Sequence, residues 1–171
     1  MAGHPMLSQI KSETTGLDFS GQRFNVVLSY HKVAGLSGHA VGIKFSDASS
    51  SMDSSKKVKI NGMLLGRAIG ERVVEMTKNL DGISFLGFYL LTDDIEKERG
   101  VLAVRAKTRV YSAQAKQIHK KVSHKLPQLT QITVDGGVAW GMGESNFLSK
   151  PQFQLFLSEL GKATEVINHV D

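Results

Sequence analysis

The chain contains no cysteine among its 171 residues, which excludes disulfide bonds, thiolate metal ligands and a cysteine nucleophile. Long hydrophobic runs are also missing. The most apolar stretch, Ile83–Leu91, is interrupted by Ser84 and Gly87 and is far shorter than the roughly 20 residues that cross a bilayer. The opening stretch MAGHPMLSQIKSETTG has no apolar core behind a basic start, so no secretory signal is predicted. We therefore expect a cytoplasmic protein without a membrane partner.

Familiar catalytic and metal-binding patterns are absent as well. The six histidines show no ligand spacing such as H-E-x-x-H, and the sequence has no G-x-S-x-G nucleophile elbow. Asp93, Asp94 and Glu96 form a group of carboxylates that could hold a metal ion. The group fits a helix-capping loop better, because acidic side chains are favoured at helix N-termini. No metal site is predicted.

Positive charge is in excess in this chain. The 21 Lys and Arg residues against 16 Asp and Glu give a net charge of +5 and a pI near 9.5. Such a surplus favours a polyanionic partner, and nucleic acid, a nucleotide cofactor or an acidic protein would all qualify. A contribution to solubility alone would explain it equally well. Charge therefore narrows the class of partner without selecting one.

Hydrophobic patterning predicts the order β-β-β-α-β-α-β-β-α, a mixed α/β fold with one sheet in a single domain over residues 1–171. Strands are predicted at 23–33, 39–45, 57–60 and 81–91, with two more in 129–142 around a turn at Asp135–Gly137. Helices are predicted at 64–80, from about 100 to 125, and after Pro151. Residues 1–20 are expected to form an arm or a short helix, residues 46–57 a mobile Ser-rich loop, and residues 92–100 an acidic loop.

The predicted helix 64–80 contains two glycines, Gly66 and Gly70. Each would cost about 1 kcal/mol relative to alanine in a helix interior. If they belong to the helix start, they could expose N–H groups to an anion, with the helix dipole, Arg67 and Arg72 adding positive charge. The other interpretation is that two small residues four apart let the helix pack closely on a sheet. The sequence leaves both interpretations open.

The stretch GRAIGERVV resembles the pyrophosphate loop and following helix of GNAT-type acetyltransferases, in which Arg-Gly-Lys-Gly-Ile-Gly is common. The residues that match are Gly66, Arg67, Ile69 and Gly70. Leu65 and Ala68 depart from the family pattern. The order of strands and helices over roughly residues 23–142 is also similar, so the resemblance implies a GNAT-like fold.

The resemblance further implies that the chain binds acetyl-CoA and transfers an acyl group to an amine. The residues that would hold the cofactor are Gly66, Arg67, Ala68, Ile69, Gly70 and Arg72. Tyr111, in the helix after the buried strand, would act as general acid toward the departing thiolate of coenzyme A. A substrate amine would attack directly, with positioning supplying much of the rate. No general base is predicted.

A second functional feature is the basic segment 105–125, which contains seven Lys and Arg residues and no acidic residue. Arg105, Arg109, Lys116 and Lys120 fall at spacings of four, seven and four, so they share one helix face. This face could follow a line of phosphates, each contact releasing counterions. The predicted nucleic-acid contacts are Arg105, Arg109, Lys116, Lys120, Lys121 and Lys125. Only Tyr111 is aromatic here, so base stacking is not favoured. A solvated basic face, an acidic protein partner, or an accessory protein without chemistry are the alternatives.

Overall fold

The computed structural model of the chain describes residues 7–33, 37–47, 62–134 and 136–144. These residues form six strands and three helices. In chain order they are β1 (Leu7–Phe19), β2 (Gln22–Val33), β3 (His39–Asp47), α1 (Gly62–Met76), β4 (Ile83–Leu91), α2 (Asp93–Arg99), α3 (Val101–Val122), β5 (Gln128–Val134) and β6 (Gly137–Gly143). The mixed α/β class predicted from the sequence is confirmed.

All six strands belong to one sheet, in the order β1-β2-β3-β4-β6-β5. β1, β2 and β3 form one antiparallel group, and β4, β6 and β5 form another. A parallel pairing of β3 with β4 joins the two groups, and it covers only His39–Gly42 against Ile83–Gly87. Beyond Gly42 and Gly87 the two strands are no longer paired. We call this end of the β3–β4 pair the split.

The two long helices lie side by side on one face of the sheet. α1 connects β3 to β4 and α3 connects β4 to β5, and both connections advance across the sheet in the same direction. Because such crossovers are right-handed, both helices are expected on the same face. Gly66 of α1 lies against Gln114 of α3, and Gly70 lies against Ile118. The order of these contacts shows that the two helices run parallel.

The core fills the space between this pair of helices and the sheet. Strand side chains alternate between the two faces, so every second residue of each central strand points into this space. Side chains exposed by 2% or less include Leu86 and Phe88 on β4, Trp140 and Met142 on β6, Ile69 and Val73 on α1, and Ile118 and Val122 on α3. Full burial of a side chain of this size stabilises the fold by about 1.5–3 kcal/mol before entropic costs.

The prediction of an arm or short helix near the N-terminus is wrong for residues 7–19. They form the edge strand β1, paired with β2 along its length. The hairpin turns at Ser20 and Gly21, whose φ angles of 50° and 76° suit a tight two-residue connection. β1 is largely polar, so alternation of hydrophobic residues gave little signal. Its backbone hydrogen bonds to β2 hold it in place.

Two element boundaries and one predicted loop also differ from the structure. α1 ends at Met76 rather than residue 80, since Lys78, Asn79 and Leu80 all have positive φ angles. β3 extends to Asp47, two residues into the predicted Ser-rich loop. Residues 93–99 of the predicted acidic loop form helix α2. The predicted strand at 57–60 and the helix after Pro151 lie outside the described residues.

Candidate functional site

Gly66 and Gly70 occupy the side of α1 that contacts α3. A Cβ atom added to Gly66 would lie 2.8 Å from the Cα of Gln114, and one added to Gly70 would lie 3.1 Å from the Cα of Ile118. α1 begins at Gly62, so the amides of both glycines are in the helix interior, where intrahelical bonds use them. This geometry does not provide an anion cradle. The glycines allow close packing, with a helix rather than the sheet as the partner.

The other residues of the predicted cofactor site divide between the core and solvent. Ile69 is fully buried, and Ala68 is partly buried against the core. Arg67 is exposed. The Nη1 atom of Arg72 donates to Oε2 of Glu75 at 3.2 Å, an exposed pair on α1 itself. These residues do not converge on one point, so coenzyme A would need a different anchor.

Four of the predicted nucleic-acid contacts share one side of α3, and we call them the basic face. They are Arg105, Arg109, Lys116 and Lys120, all exposed. At 100° per residue they fall within about 60° of one another around the helix axis. None of the four forms an ion pair with a described residue. Their charges are therefore available to an external anion.

The remaining two predicted contacts serve the structure of the chain instead. Lys121 points toward α1, where its Nζ lies 3.1 Å from Oε1 of Glu71. Lys125 follows the end of α3 and donates from its Nζ to the backbone carbonyl of Leu80 at 3.2 Å. Helical spacing sets Lys121 about 160° around the axis from Arg105, off the basic face. The contacts that these two lysines make depend on the position of α1 and of the segment after it.

A groove runs between α3 and the edge strand β5, beside the first half of the basic face. Its volume is about 370 Å³, and its walls are Val104, Arg105, Thr108, Arg109, Ser112 and Gln131. The Oε1 atom of Gln131 accepts hydrogen bonds from Nε1 of Trp140 at 3.0 Å and from the Ser112 hydroxyl at 3.1 Å. With its oxygen engaged, Gln131 retains N–H donors for a ligand. The groove therefore combines two guanidinium groups with neutral hydrogen-bonding side chains.

Sequence reasoning missed Gln131 entirely. It stands in the middle of β5, between Thr130 and Ile132, and its cross-strand neighbour on β6 is Trp140. That register brings the indole N–H to the amide, and the sequence alone does not fix a register. A polar residue inside a predicted strand, facing a tryptophan in the next strand, was the signal available.

Tyr111 lies where α3 passes the split. Its ring centroid is 5.6 Å from that of Phe45 on β3, 6.4 Å from Phe88 on β4 and 6.1 Å from Trp140. Phe88 directly follows Gly87 and Phe45 comes three residues after Gly42, so both lie beyond the end of the β3–β4 pairing. Burial raises the pKa of the Tyr111 phenol, so its hydroxyl stays protonated near neutral pH.

Metal-ligating side chains are not grouped in the part of the chain that the structure describes: no three of His, Cys, Asp and Glu lie together. Two histidines near the end of α3 have structural contacts. Nε2 of His119 is 2.9 Å from the carbonyl oxygen of Leu126, and Nε2 of His124 is 3.1 Å from Oδ1 of Asn79. These contacts attach the end of α3 to the residues that follow it and to the connection between α1 and β4.

Comparisons of the chain with protein-family models, with curated proteins and with solved structures found no match. Of the helices in the described ranges, none has both the length and the hydrophobicity needed to cross a membrane.

Proposed function

We propose that this chain binds the phosphate backbone of nucleic acid along the basic face of α3. The observation that carries the proposal is the exposure of four cations on one side of a helix, with no ion pair to any described residue. From Arg105 to Lys120 the face extends about 22 Å along the helix axis. The chain has no acidic residue from Arg99 to Val134 to offset this charge. A line of phosphates fits that length better than a single small anion.

The groove gives the proposed interface its hydrogen-bonding groups. Arg105 and Arg109 supply guanidinium groups, which bind phosphate oxygens through two parallel N–H donors. Thr108, Ser112 and Gln131 line the same groove and add neutral polar groups. Such contacts fix the position of a protein on nucleic acid without reading its sequence.

Duplex DNA is the form that this surface favours. Single-strand binding proteins stack bases on exposed aromatic rings. Tyr111, the only aromatic residue of α3, packs instead against Phe45, Phe88 and Trp140. The interface therefore offers charge and hydrogen bonds but no stacking platform, and binding should be electrostatic and independent of sequence.

The test is the salt dependence of binding to a labelled 20-base-pair duplex, measured by fluorescence anisotropy. Four phosphate contacts predict that affinity falls roughly 100-fold between 50 and 200 mM salt, with a log–log slope near −3.6 at about 0.9 per contact. The double variant Arg105→Gln/Arg109→Gln should weaken binding and reduce the slope by about 2. A single strand of equal length should bind more weakly.

The matched control is Lys97→Gln/Arg99→Gln, which removes two exposed positive charges from α2 rather than from the basic face. It should leave the slope nearly unchanged. The proposal is wrong if the wild-type chain does not bind the duplex at 50 mM salt, or if the control weakens binding as much as the α3 variant does.

A second candidate function, acyl transfer from acetyl-CoA, is favoured by the position of Tyr111. A protonated phenol at the split of a parallel strand pair suits the general-acid role that the GNAT resemblance implies. Gly66 and Gly70 no longer support it, so the candidate depends on Tyr111 and the split.

Thermal unfolding with and without acetyl-CoA tests this second candidate. Ligand at 100 times its Kd would stabilise the native chain by about 2.7 kcal/mol, a rise in Tm of several degrees. In an acetyl-transfer assay Tyr111→Phe should lower kcat, whereas Tyr30→Phe, a buried tyrosine on β2, should not. An unchanged Tm at millimolar acetyl-CoA would reject coenzyme A and leave the nucleic-acid proposal untouched.

A further inference from the structure

The two edge strands of the sheet, β1 and β5, differ in how they are protected against pairing with another chain. An edge strand presents backbone N–H and C=O groups that the sheet does not use, and proteins guard them with charged side chains, proline or bulges. β1 has a bulge between Gln9 and Lys11 and carries the charges of Lys11, Glu13 and Asp18. β5, with the sequence QLTQITV, has no charge, no proline and no break in its register with β6. Of the two edges, β5 is therefore the unguarded one.

The outer side of β5 has no partner strand in the described part of the chain. Among the described residues, the backbone of β5 pairs only with β6. None of residues 128–133 is buried, and Gln131 and Thr133 are exposed. The backbone groups that point away from β6 must still form hydrogen bonds, either with water or with another strand.

The composition of β5 is typical of a strand that adds readily to another strand. Thr130, Ile132, Thr133 and Val134 are β-branched, which favours the extended backbone. Uncharged segments of about six or seven residues with high β-propensity and no proline are the ones that pair with copies of themselves. Because β5 carries no charge, two copies meet without repulsion between opposed residues, whereas a charged peptide would find no opposite charge on this strand. The edge therefore fits a second copy of itself better than a charged partner strand.

We infer that β5 pairs antiparallel with β5 of a second copy of this chain, so that the two sheets join edge to edge. Such an interface has two-fold symmetry, and each strand meets the same strand in reverse order. Overlap of all seven residues of β5 places the symmetry axis at Gln131. Thr130 then lies opposite Ile132 of the second copy, which brings two β-branched side chains together. The overlap provides about six backbone hydrogen bonds between the copies.

The pairing brings the α3 helices of the two copies to the same face of the joined sheet. The groove between α3 and β5 of each copy then lies beside the symmetry axis, with Arg105 and Arg109 in its wall. The arginines of the two copies repel each other across the axis, and this repulsion opposes the dimer at low salt. At 300 mM salt the screening length falls to about 6 Å, so the dimer should be measured at this ionic strength.

Sedimentation velocity of the full chain at 300 mM salt, from about 5 to 200 μM protein, tests the pairing. The natural chain should shift from monomer to dimer over this range, since an interface of this size is expected to be weak. Thr130→Lys and Thr130→Glu each place two like charges diagonally across the axis and should weaken the dimer at least about fivefold. An equimolar mixture of the two variants should dimerise more strongly than either alone, because the diagonal pair then has opposite charges.

The matched control is Thr14→Lys, which makes the same substitution at an exposed threonine of the other edge strand, β1. It should leave the dimer as strong as that of the natural chain. The inference is overturned if the natural chain stays monomeric at 200 μM, if Thr130→Lys dimerises as well as Thr14→Lys does, or if the mixture is no stronger than its components.

Disulfide cross-linking gives an answer even if the charged variants do not fold, because the natural sequence has no cysteine to interfere. Thr130→Cys is mixed with Ile132→Cys, the two variants carrying tags of different mass, and the mixture is oxidised. It should form a covalent dimer of the two different variants, since the two positions are directly opposite each other. Thr130→Cys mixed with Thr14→Cys should cross-link more slowly. Equal rates in the two mixtures would show that β5 does not pair with its copy.

Discussion

The two halves of α3 have different environments although they form one continuous helix of 22 residues. Residues 101–110 have no buried side chain, and Leu102 is 78% exposed. Residues 111–122 provide all the buried positions, which are Gln114, Ala115, Gln117, Ile118 and Val122. The first half is thus open to a partner, and the second half holds the fold.

The difference arises from where α1 begins. Gly66 faces Gln114, and the helices run parallel, so Gly62 at the start of α1 is level with Val110. The first half of α3 projects beyond that point by about 13 Å. Both halves carry positive charge, so composition does not distinguish them. The position of a neighbouring helix decides which residues of α3 can meet a ligand.

The largest expected effect comes from truncating matched apolar residues in the two halves. Ile118→Ala should lower the free energy of unfolding by about 2–5 kcal/mol, because it leaves a cavity in the packed half. Leu102→Ala should change it by no more than about 0.5 kcal/mol. Urea unfolding of both variants measures the contrast. Similar losses at the two positions would break the comparison between the halves.

The packed half can be examined further through the glycines that face it. Gly66→Ala should destabilise the chain by about 1–2 kcal/mol, since overpacking against the backbone of Gln114 outweighs the helix-propensity gain of about 1 kcal/mol. Gly70→Ala should cost less, because its Cβ would lie 3.1 Å from the Cα of Ile118, whereas the Cβ at residue 66 would lie 2.8 Å from the Cα of Gln114. Stabilisation by Gly66→Ala, in the same urea assay, would show that the two helices are not in close contact.

The open half can be examined by adding charge. Leu102 lies on the same side of α3 as the basic face, so Leu102→Lys should leave the free energy of unfolding within about 0.5 kcal/mol of the natural chain. It should steepen the salt dependence of duplex binding by about 0.9, one additional phosphate contact. Leu102→Gln is the neutral control. An unaltered slope in Leu102→Lys would place the nucleic acid away from this half of the helix.

The smallest effect is expected at Tyr111, where the two halves meet. Burial raises the pKa of its phenol above 10.0, so the stabilisation from keeping it neutral is complete below pH 10 and is lost as the pH rises through the folded-state pKa. The unfolding free energy of Tyr111→Phe should therefore decline less steeply above pH 10 than that of the natural chain. Parallel declines would mean that this phenol is not buried in solution.

Sequence patterns predicted the elements whose hydrophobic period is strong. The alternation in β2, the apolar run of β4 and the helical spacing of α3 all correspond to elements of the structure. β1 was missed because it is polar and depends on backbone pairing with β2. α1 was predicted to start at residue 64 and starts at Gly62. Of the two interpretations of Gly66 and Gly70, close packing is the one that fits, and the partner is the neighbouring helix.

The candidate site was predictable only in part, for a similar reason. Helical spacing correctly grouped Arg105, Arg109, Lys116 and Lys120 on one face, since that grouping depends on local geometry alone. The contact of Lys121 with Glu71 and the fixing of Gln131 by Trp140 depend on tertiary packing and strand register. Residues far apart in sequence decide these contacts, and a local pattern does not contain them.

The most direct test of nucleic-acid binding by the open half of α3 is amide hydrogen exchange, measured by mass spectrometry with and without saturating 20-base-pair duplex DNA. We predict slower exchange in peptides covering residues 101–112 when the duplex is bound. A smaller change is expected in peptides covering residues 113–122, because Lys116 and Lys120 contact the duplex there but the packed half already exchanges slowly. Unchanged exchange in residues 101–112 under conditions where the duplex is bound would contradict the account.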